Sequence, residues 1–375
     1  MRKKIALLLT LALAASSLAA CGGSKPAESA AATTAAAADT TAAAGDTKTA
    51  DTTAAAAEGE DPYAALGDFT MMVGHAQPEG NPRYVSMEKF AADVAEKTNG
   101  HVTVEVFANG QLGTEKEMLE QVVAGTVQGM RGGQFDFSPR LLMFTLPFLT
   151  QNRAQVTALL NSDLAKKVCT EAEAETGTVI ISLCDAGGYR QFSNSKHPIT
   201  KPEDLKGLKM RTNGMNTIDK TFIAMGATTT TIPYSDLYMG LKTSVADGQE
   251  NPWVNVEGMK FYEVQKYFTE VNYQFHPDPF YINAAWWNSL PAEYQEIIQE
   301  CADEMSVYND QLIDETQEAA KQVVVDAGCE VYEPSADELK AFQDAVQVVY
   351  DQCIEEGILT AEELKEMQDI VASAK

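Results

Sequence analysis

The chain has 375 residues, of which 45% are hydrophobic, and its 54 acidic and 28 basic side chains give a formal net charge of −26 at pH 7. This charge argues against nucleic acid or an anionic membrane surface as a partner, because both repel a negative protein. An acidic protein also needs a local positive group to hold an anionic ligand, so its buried arginines are of particular interest.

The first 21 residues have the pattern of an export signal. The basic start "MRKK" precedes the apolar run "IALLLTLALAASS" and the small-residue end "LAAC". The apolar run is shorter than the roughly 20 residues that span a bilayer. Leu18 to Cys21 resembles a bacterial lipobox, which implies a signal peptide at 1–20 and a lipid such as palmitate on Cys21; a plain secretory signal is the other interpretation. We therefore expect an extracytoplasmic lipoprotein anchored to the outer face of the cytoplasmic membrane.

Residues 21–61 favour a lipid anchor followed by a disordered linker. They are almost wholly small and polar, so they lack the apolar surface that would offset the entropy of ordering them. The remaining 300 or so residues are too many for one small core and favour two lobes of roughly 150 residues each.

The first half of this region alternates strands and helices. The sequence predicts strands at "DFTMMVG", "HVTVEVF" and "GTVIISLCDAGG", and amphipathic helices over Asn81 to Thr98 and Gly113 to Ala124. "RLLMFTLPFLT" is apolar but broken by Pro147, which favours a buried connection over a regular helix.

The second half repeats the alternation. Strands are predicted at "KGLKMRT" and "ATTTTIP", helices over Met215 to Met225 and Tyr234 to Lys242, and one or two strands within "KYFTEVNYQFHPDPFYINAAWW". Pro291 opens a helical pattern that reaches about Val325, more than about 45 Å at 1.5 Å per residue, and this length suits a helix lying across two lobes. The class is α/β, with covering helices near the C-terminus.

The five cysteines after Cys21 have spacings that fit neither a zinc site nor a redox pair, and they assign no disulfide. We interpret them as small buried side chains. No metal and no cofactor is predicted.

Two arginines occupy strand-like segments, Arg190 in "GGYRQFSNS" and Arg211 in "LKGLKMRTNG". A guanidinium presents a planar fork that matches a carboxylate in two places. An internal salt bridge is the ordinary alternative for either residue, and the spacing alone does not bring the two together.

Several segments in order resemble the TRAP-transporter solute-binding proteins of the DctP type. The segments are "GHAQPEGNPRY", "ANGQLGTEKEMLEQVVAGTVQG", "TLPFLTQN", "GGYRQFSNSKHPITKPEDLKGLKMRT", "AMGATTTTIPYSDLYMGLKTSVADGQENPW", "FYEVQKYF" and "NSLPAEYQEIIQECADEM", and the resemblance covers about 67–375. It implies a two-lobed periplasmic-binding-protein-like (type II-like) fold with a long helix spanning both lobes. The expected lobes are 67–187 plus 277–315 and 188–276 plus 316–375.

The resemblance also implies roles for residues in the second half of the chain. Arg211 stands at the position of the main carboxylate-clamping arginine, Arg190 at that of an assisting arginine, and Asn251 at that of an asparagine at the same end of the ligand. Tyr234 occupies an aromatic position that packs on the ligand. Trp253 is a candidate cap of the pocket, with a place in the domain core as its alternative.

In the first half, His75, Glu115 and Arg131 lie in segments that reach the cleft of similar proteins. Glu115 matches an acidic position that binds polyhydroxylated ligands, and its place at a helix start also suits the helix dipole. Gly133 and Ala76 stand where sialic-acid-binding relatives carry a glutamate and an asparagine, which disfavours sialic acid.

Binding is favoured over catalysis, because the chain has four histidines and no His-x-x-x-His, Gly-x-Ser-x-Gly or glycine-rich phosphate loop. We expect an extracytoplasmic receptor, not an enzyme, that captures a small organic acid and delivers it to the membrane permease of a TRAP-type transporter. The alternative is the same capture presented to a membrane sensor kinase. The ligand is expected to be a uronate or aldonate, with a C4-dicarboxylate held through Arg131 or His75 as the other possibility.

Overall fold

The structure is a computed structural model that describes residues 61–135 and 137–374. The expected signal peptide, the lipidated Cys21 and all but the last residue of the linker lie outside the described residues. Within the part that is described, no helix is long and apolar enough to cross a membrane.

Eleven strands are present in the described residues: Phe69–Gly74 (β1), Val102–Phe107 (β2), Gly129–Arg131 (β3), Thr178–Asp185 (β4), Arg190–Asn194 (β5), Lys209–Thr212 (β6), Thr228–Thr231 (β7), Gly248–Pro252 (β8), Tyr267–Thr269 (β9), Pro277–Asn283 (β10) and Glu330–Tyr332 (β11). They form two sheets. The first sheet has the order β2-β1-β3-β10-β4 and the second has the order β11-β9-β5-β8-β6-β7.

Both sheets are mixed in strand direction. In the first sheet, β1 runs parallel to β2 and β3, whereas β10 runs antiparallel to β3 and β4. In the second sheet, β6 runs parallel to β7 and β8, and β5 runs antiparallel to β8 and β9. The α/β class and the two-lobed fold expected from the sequence are confirmed.

Twelve α-helices accompany the strands in the described residues: Pro82–Lys97 (α1), Glu115–Ala124 (α2), Arg153–Leu160 (α3), Asp163–Thr176 (α4), Asn216–Ala224 (α5), Leu237–Lys242 (α6), Trp253–Gly258 (α7), Ala284–Trp287 (α8), Ala292–Asp326 (α9), Ala336–Ala345 (α10), Gln347–Glu355 (α11) and Ala361–Ser373 (α12). The segment Pro139–Thr145 is a 3₁₀ helix with its last five residues buried, which agrees with the predicted buried connection. The predicted helix from Tyr234 instead begins with a 3₁₀ turn, and the α-helix starts at Leu237.

The helix α9 packs against both halves of the molecule. Cys301 and Met305 lie in a hydrophobic cluster with side chains of the first sheet, and Ala320 and Val324 lie in a cluster with Phe268 of the second sheet. Its 35 residues extend about 50 Å. The predicted long helix spanning two lobes is therefore present, and the residue boundaries of the lobes stay a prediction.

The passage from β4 to β5 takes the chain from the first sheet to the second. Asp185 accepts hydrogen bonds at its Oδ1 from the N–H groups of Gly187 and Gly188, at 2.8 and 2.6 Å. Both glycines have positive φ angles, 137° and 93°, which side chains other than glycine rarely adopt. This turn fixes where β5 begins and therefore where Arg190 lies.

The five cysteines between 61 and 374 are all unpaired. Over the same residues, no group of three or more His, Cys, Asp or Glu side chains is arranged to hold a metal ion.

Candidate functional site

A polar cavity lies between corresponding edges of the two sheets. The first sheet contributes residues at the ends of β1, β3 and β4, just before β10, and at the starts of α1 and α2: Gln77, Arg83, Glu115, Gly133, Ala186 and His276. The second sheet contributes residues on β5, β6 and β8, in the turns beside them and in the helix α7: Arg190, Arg211, Asn213, Tyr234, Asn251 and Asn255. Strand ends that face a crevice are the usual ligand position in open α/β sheets.

The inner cavity offers about 40 Å³ to water-sized molecules. It adjoins an outer pocket of about 350 Å³, and the two share Glu115, Arg211, Asn213 and Tyr234 in their walls. The outer pocket is in the size range of small-molecule sites.

Three neighbouring strands carry the second-sheet wall. Arg190 is the first residue of β5 and pairs with Pro252 at the end of β8, and Gln191 pairs with Asn251. Because β8 lies between β5 and β6, the adjacency brings Arg190, Asn251 and Arg211 to one edge.

Arg211 is a buried guanidinium without a salt bridge among the described residues. It is 1% exposed, and its Nε donates to the carbonyl oxygen of Ile232 at 2.8 Å. The pKa of Arg211 is lowered to about 10, chiefly by burial; the Glu250 carboxylate opposes this shift and the charge of Arg190 adds to it. The remaining nitrogens of this guanidinium, on a residue that lines both pockets, are placed to bind an anion.

Arg190 has the opposite environment, because a buried carboxylate already holds it. Its Nε donates to one carboxylate oxygen of Glu250, and one terminal nitrogen donates to the other oxygen at 2.9 Å and to Asn251 Oδ1 at 3.1 Å. Tyr273 donates its hydroxyl to the same Glu250 carboxylate at 2.7 Å. Burial lowers the pKa of Arg190, but the Glu250 carboxylate outweighs burial and the pKa is raised.

A second network supports the first-sheet wall. Arg83 contacts Glu115 Oε1 at 2.9 Å and Asp278 Oδ2 at 2.6 Å, and Asp278 also faces Arg131 at 3.3 Å. Burial raises the pKa of the Asp278 carboxyl to about 6, although both arginines lower it. Asp278 therefore carries its charge at neutral pH, and Arg83 is neutralised by two acids.

His276 faces the cavity from the first-sheet wall with spare hydrogen-bonding capacity. It is 2% exposed, and neither Nδ1 nor Nε2 makes a well-aligned hydrogen bond among the described residues, although the Gly133 backbone lies beside the ring and partly offsets the lowering of its pKa. Burial lowers the pKa of His276 well below 6.5, and Arg190 and Arg83 lower it further, so the ring is uncharged at neutral pH.

Three hydrogen bonds join the walls across the cleft. The hydroxyl of Tyr234 donates to Gln77 Oε1 at 3.1 Å, and Asn81 Nδ2 donates to Asn255 Oδ1 at 3.0 Å. Asn255 Nδ2 in turn donates to the carbonyl oxygen of Ala186 at 3.3 Å. Both partners of the second pair are buried. The two walls are thus held together directly as well as through the chain.

Of the eight predicted binding residues, five line the cavity: Arg190, Arg211, Asn251, Tyr234 and Glu115. These five stay predictions as ligand contacts, but the structure does bring them together.

The other three predicted residues lie elsewhere. Arg131 is fully buried and occupied by Asp278, by Ser86 Oγ at 2.9 Å and by the Asp185 carbonyl oxygen at 3.0 Å. Trp253 is buried beside Phe268, 5.8 Å between ring centroids, which corresponds to the alternative of a core tryptophan.

His75 is likewise buried outside the cavity lining, and its Nδ1 accepts the N–H of Gln77 at 3.2 Å. Burial lowers the pKa of His75 to about 3, with Arg83 and Arg131 acting in the same direction. Its place beside Gln77 makes it a support for a lining residue.

Five polar residues of the cavity wall were not predicted from the sequence: Arg83, Gln77, Asn213, Asn255 and His276. Arg83 and Gln77 do lie in the quoted segment "GHAQPEGNPRY", and His276 lies in the predicted His-Pro-Asp-Pro turn. The signal in the sequence that could have found these residues is a polar side chain close to the end of a predicted strand.

The sequence profile of the bacterial extracellular solute-binding protein family 7 (DctP) matches residues 73–356. The chain is also 31% identical over 287 residues to the C4-dicarboxylate-binding periplasmic protein DctP of Rhodobacter capsulatus, covering 75% of this chain and 85% of the relative.

Solved structures with the same fold include two with a bound acid. A TRAP periplasmic solute-binding protein from Desulfovibrio salexigens, with bound orotic acid, is 29% identical, has a TM-score of 0.77, and covers 82% of this chain and 99% of its own. One from Chromohalobacter salexigens, with bound D-glucuronate, is 27% identical, has a TM-score of 0.74, and covers 81% and 100%.

Proposed function

This chain belongs to the bacterial extracellular solute-binding protein family 7, a family of TRAP-transporter binding proteins rather than enzymes, and from this premise we propose what it binds and how. It captures a small organic acid in the cleft between its two sheets. Arg211 clamps the carboxylate, Arg190 and Asn251 assist, and Tyr234 covers the ligand. The loaded protein delivers the acid to a TRAP-type permease.

The observation that carries this proposal is the state of Arg211. It is buried at the cavity wall, no acidic side chain in the described residues pairs with it, and burial lowers its pKa to about 10. A buried charge without a partner is unfavourable, and a bound carboxylate supplies the missing partner. A charge-assisted hydrogen bond of this kind contributes about 1.5–3 kcal/mol.

The ligands of the similar proteins support an organic acid as the ligand of this chain, but they do not favour one particular acid. Their names and bound ligands include C4-dicarboxylates, orotic acid and D-glucuronate. All of these carry at least one carboxylate, which is the group that Arg211 requires. Their remaining parts differ in charge and in hydroxylation.

A thermal-shift screen tests the clamp. The purified protein, unfolded, dialysed and refolded to remove any bound acid, is screened against aldonates, uronates, C4-dicarboxylates and 2-oxo acids. A ligand at 100 times its dissociation constant adds about 2.7 kcal/mol of stability and so raises the melting temperature by a few degrees. The shift is expected to vanish in Arg211→Ala. A variant that binds the same acid within about twofold of wild type would contradict the clamp.

The partner and the anchor are proposed from the family and the N-terminal sequence. Deleting the permease should abolish uptake of the acid; unchanged uptake would contradict delivery and favour presentation to a sensor kinase. Lipidation is proposed at Cys21, with the residues up to 61 as a tether. Mass spectrometry of the membrane-bound protein should find an acylated N-terminal cysteine, and Cys21→Ser should release the protein from the membrane.

A further inference from the structure

We infer that His276 is a specificity-determining residue that hydrogen-bonds a hydroxyl of the ligand, and that the wall around it selects a hydroxylated monocarboxylate over a dicarboxylate. This inference rests on the proposed function, since it takes for granted that Arg211 holds one carboxylate. It concerns the opposite wall of the cavity, where no role in ligand binding was predicted for His276 from the sequence.

The ring of His276 is placed to meet a polar group in the cavity. It lines the cavity, it is 2% exposed, and neither of its nitrogens makes a well-aligned hydrogen bond among the described residues, although the Gly133 backbone lies beside the ring. Buried polar groups in folded proteins are nearly always satisfied, so a ring with at most one weak partner at a binding cavity points to a second partner that arrives with the ligand. A neutral imidazole has one donor and one acceptor, which suits a hydroxyl group.

Gly133 provides the space that this ring occupies. A Cβ atom added at position 133 would lie 2.4 Å from His276 Nε2 and 2.9 Å from Cδ2, both too close for real contacts. A side chain at 133 and the present ring position therefore exclude each other. The glycine and the histidine act as a pair that sets the shape of this wall.

The arginines that line the inner cavity offer no second site for a carboxylate. Arg83 is held by Glu115 and Asp278, and Arg190 is held by Glu250. Of the three arginines that line the cavity, Arg211 alone lacks an acidic partner among the described residues.

A second carboxylate on the ligand would instead face Glu115, which lines both the inner cavity and the outer pocket. Like charges brought together in a site disfavour binding strongly. Lys116 lines the outer pocket and already interacts with another group of the protein. Hydroxyl groups, in contrast, can donate to Glu115 and form a hydrogen bond with His276 without bringing like charges together.

Isothermal titration with matched acids tests the inference. D-Galactonate and D-gluconate are hydroxylated monoacids, galactarate and D-glucarate are the corresponding diacids, succinate is a short diacid, and hexanoate is a monoacid without hydroxyls. At least one sugar monoacid is expected to bind ten times or more tighter than its diacid and than hexanoate. A diacid or succinate that binds as tightly as both sugar monoacids overturns the inference while leaving the proposed function standing. If no sugar monoacid binds while another acid of the thermal-shift screen does, the inference fails and the proposed function stands; if no acid of either set binds, both fail.

Variants of the wall separate hydrogen bonding from a merely structural role. His276→Gln keeps a donor and an acceptor and should bind the sugar monoacid within about threefold of wild type. His276→Leu should bind it at least tenfold more weakly while leaving hexanoate unchanged. Glu115→Gln should shrink the preference for monoacid over diacid by about tenfold. Melting temperatures of the ligand-free variants confirm folding. Unchanged preference in both His276→Leu and Glu115→Gln overturns the inference.

Discussion

The two walls of the cleft differ in how they are built. The second-sheet wall places Arg190, Arg211 and Asn251 on three adjacent strands, so hydrogen bonding within one sheet fixes their spacing. The first-sheet wall is assembled from strand ends and helix starts, and its lining residues Arg83 and His276 are nearly 200 positions apart in the chain.

Because of this difference, the two walls are suited to separate roles in ligand binding. A rigid, strand-borne set suits the one feature that the bound acids of similar proteins share, a carboxylate. Residues on loops can change without disturbing the sheet, so the first-sheet wall is where ligand choice can vary.

Arg190→Ala should destabilise the ligand-free protein by about 3–5 kcal/mol, because it leaves the fully buried Glu250 carboxylate without its ion pair. Denaturant unfolding measures the change. The double variant Arg190→Met with Glu250→Gln is the control and should recover most of the loss, since the stranded charge is gone. A single variant as stable as wild type would show that Arg190 is not the structural partner of Glu250.

Arg211→Met should abolish binding, yet the free energy of unfolding of the ligand-free protein should stay within about 1 kcal/mol of wild type or rise. The variant loses one hydrogen bond to the Ile232 carbonyl, about 1 kcal/mol, but it also removes a buried charge that lacks an acidic partner among the described residues. The same unfolding experiment compares it with Arg190→Ala. A loss as large as that of Arg190→Ala would remove the distinction between the two arginines.

Tyr234→Phe should weaken binding two- to tenfold, because it removes the hydrogen bond to Gln77 that joins the walls, worth about 0.5–1.5 kcal/mol. Tyr238→Phe is a matched control, since the hydroxyl of Tyr238 bonds to Glu263 away from the cavity. Titration with the acid found in the screen measures both. Equal affinities in the two variants would mean that the bond across the cleft does not contribute to binding.

Trp253→Phe should have the smallest effect on binding, less than twofold, although it lowers stability by about 1 kcal/mol. The indole packs on Phe268 and donates to Glu270 at 3.3 Å, outside the cavity. Affinity and melting temperature are measured on the same sample. A loss of affinity much larger than twofold would indicate that Trp253 contributes to the binding pocket.

The sequence predicted the regular elements well where burial follows a simple period. The helix expected over Asn81 to Thr98 is Pro82–Lys97, and the helix expected from Pro291 to about Val325 is Ala292–Asp326. No strand is predicted from the sequence over residues 248–252, but this segment is the strand β8.

β8 lacks the alternation of apolar and polar residues that marks a half-buried strand. All five of its residues are buried, including the polar ones. Its polar side chains are satisfied by neighbouring strands, as between Gln249 and Ser193 at 2.7 Å. Such pairing across strands leaves no mark on local periodicity.

The site was predictable only in part, because side-chain pairings between distant segments leave no mark on the local sequence. The family resemblance named Arg211, Arg190, Asn251 and Tyr234, and the structure brings these four together at one cavity. Nothing local in the sequence indicates that Glu250 neutralises Arg190 or that Asp278 lies between Arg83 and Arg131. These pairings depend on tertiary contacts, and they decide which arginine is left for a ligand.

The hydrogen bonds across the cleft also bear on how long an acid stays bound. A ligand lodged between the walls leaves only after the bonds from Tyr234 to Gln77 and from Asn81 to Asn255 have broken. The slow step of release is then a motion of the protein rather than the loss of any one ligand contact. Weakening a bond between the walls should therefore shorten the residence time of every bound acid by a similar factor, whatever the chemistry of its tail.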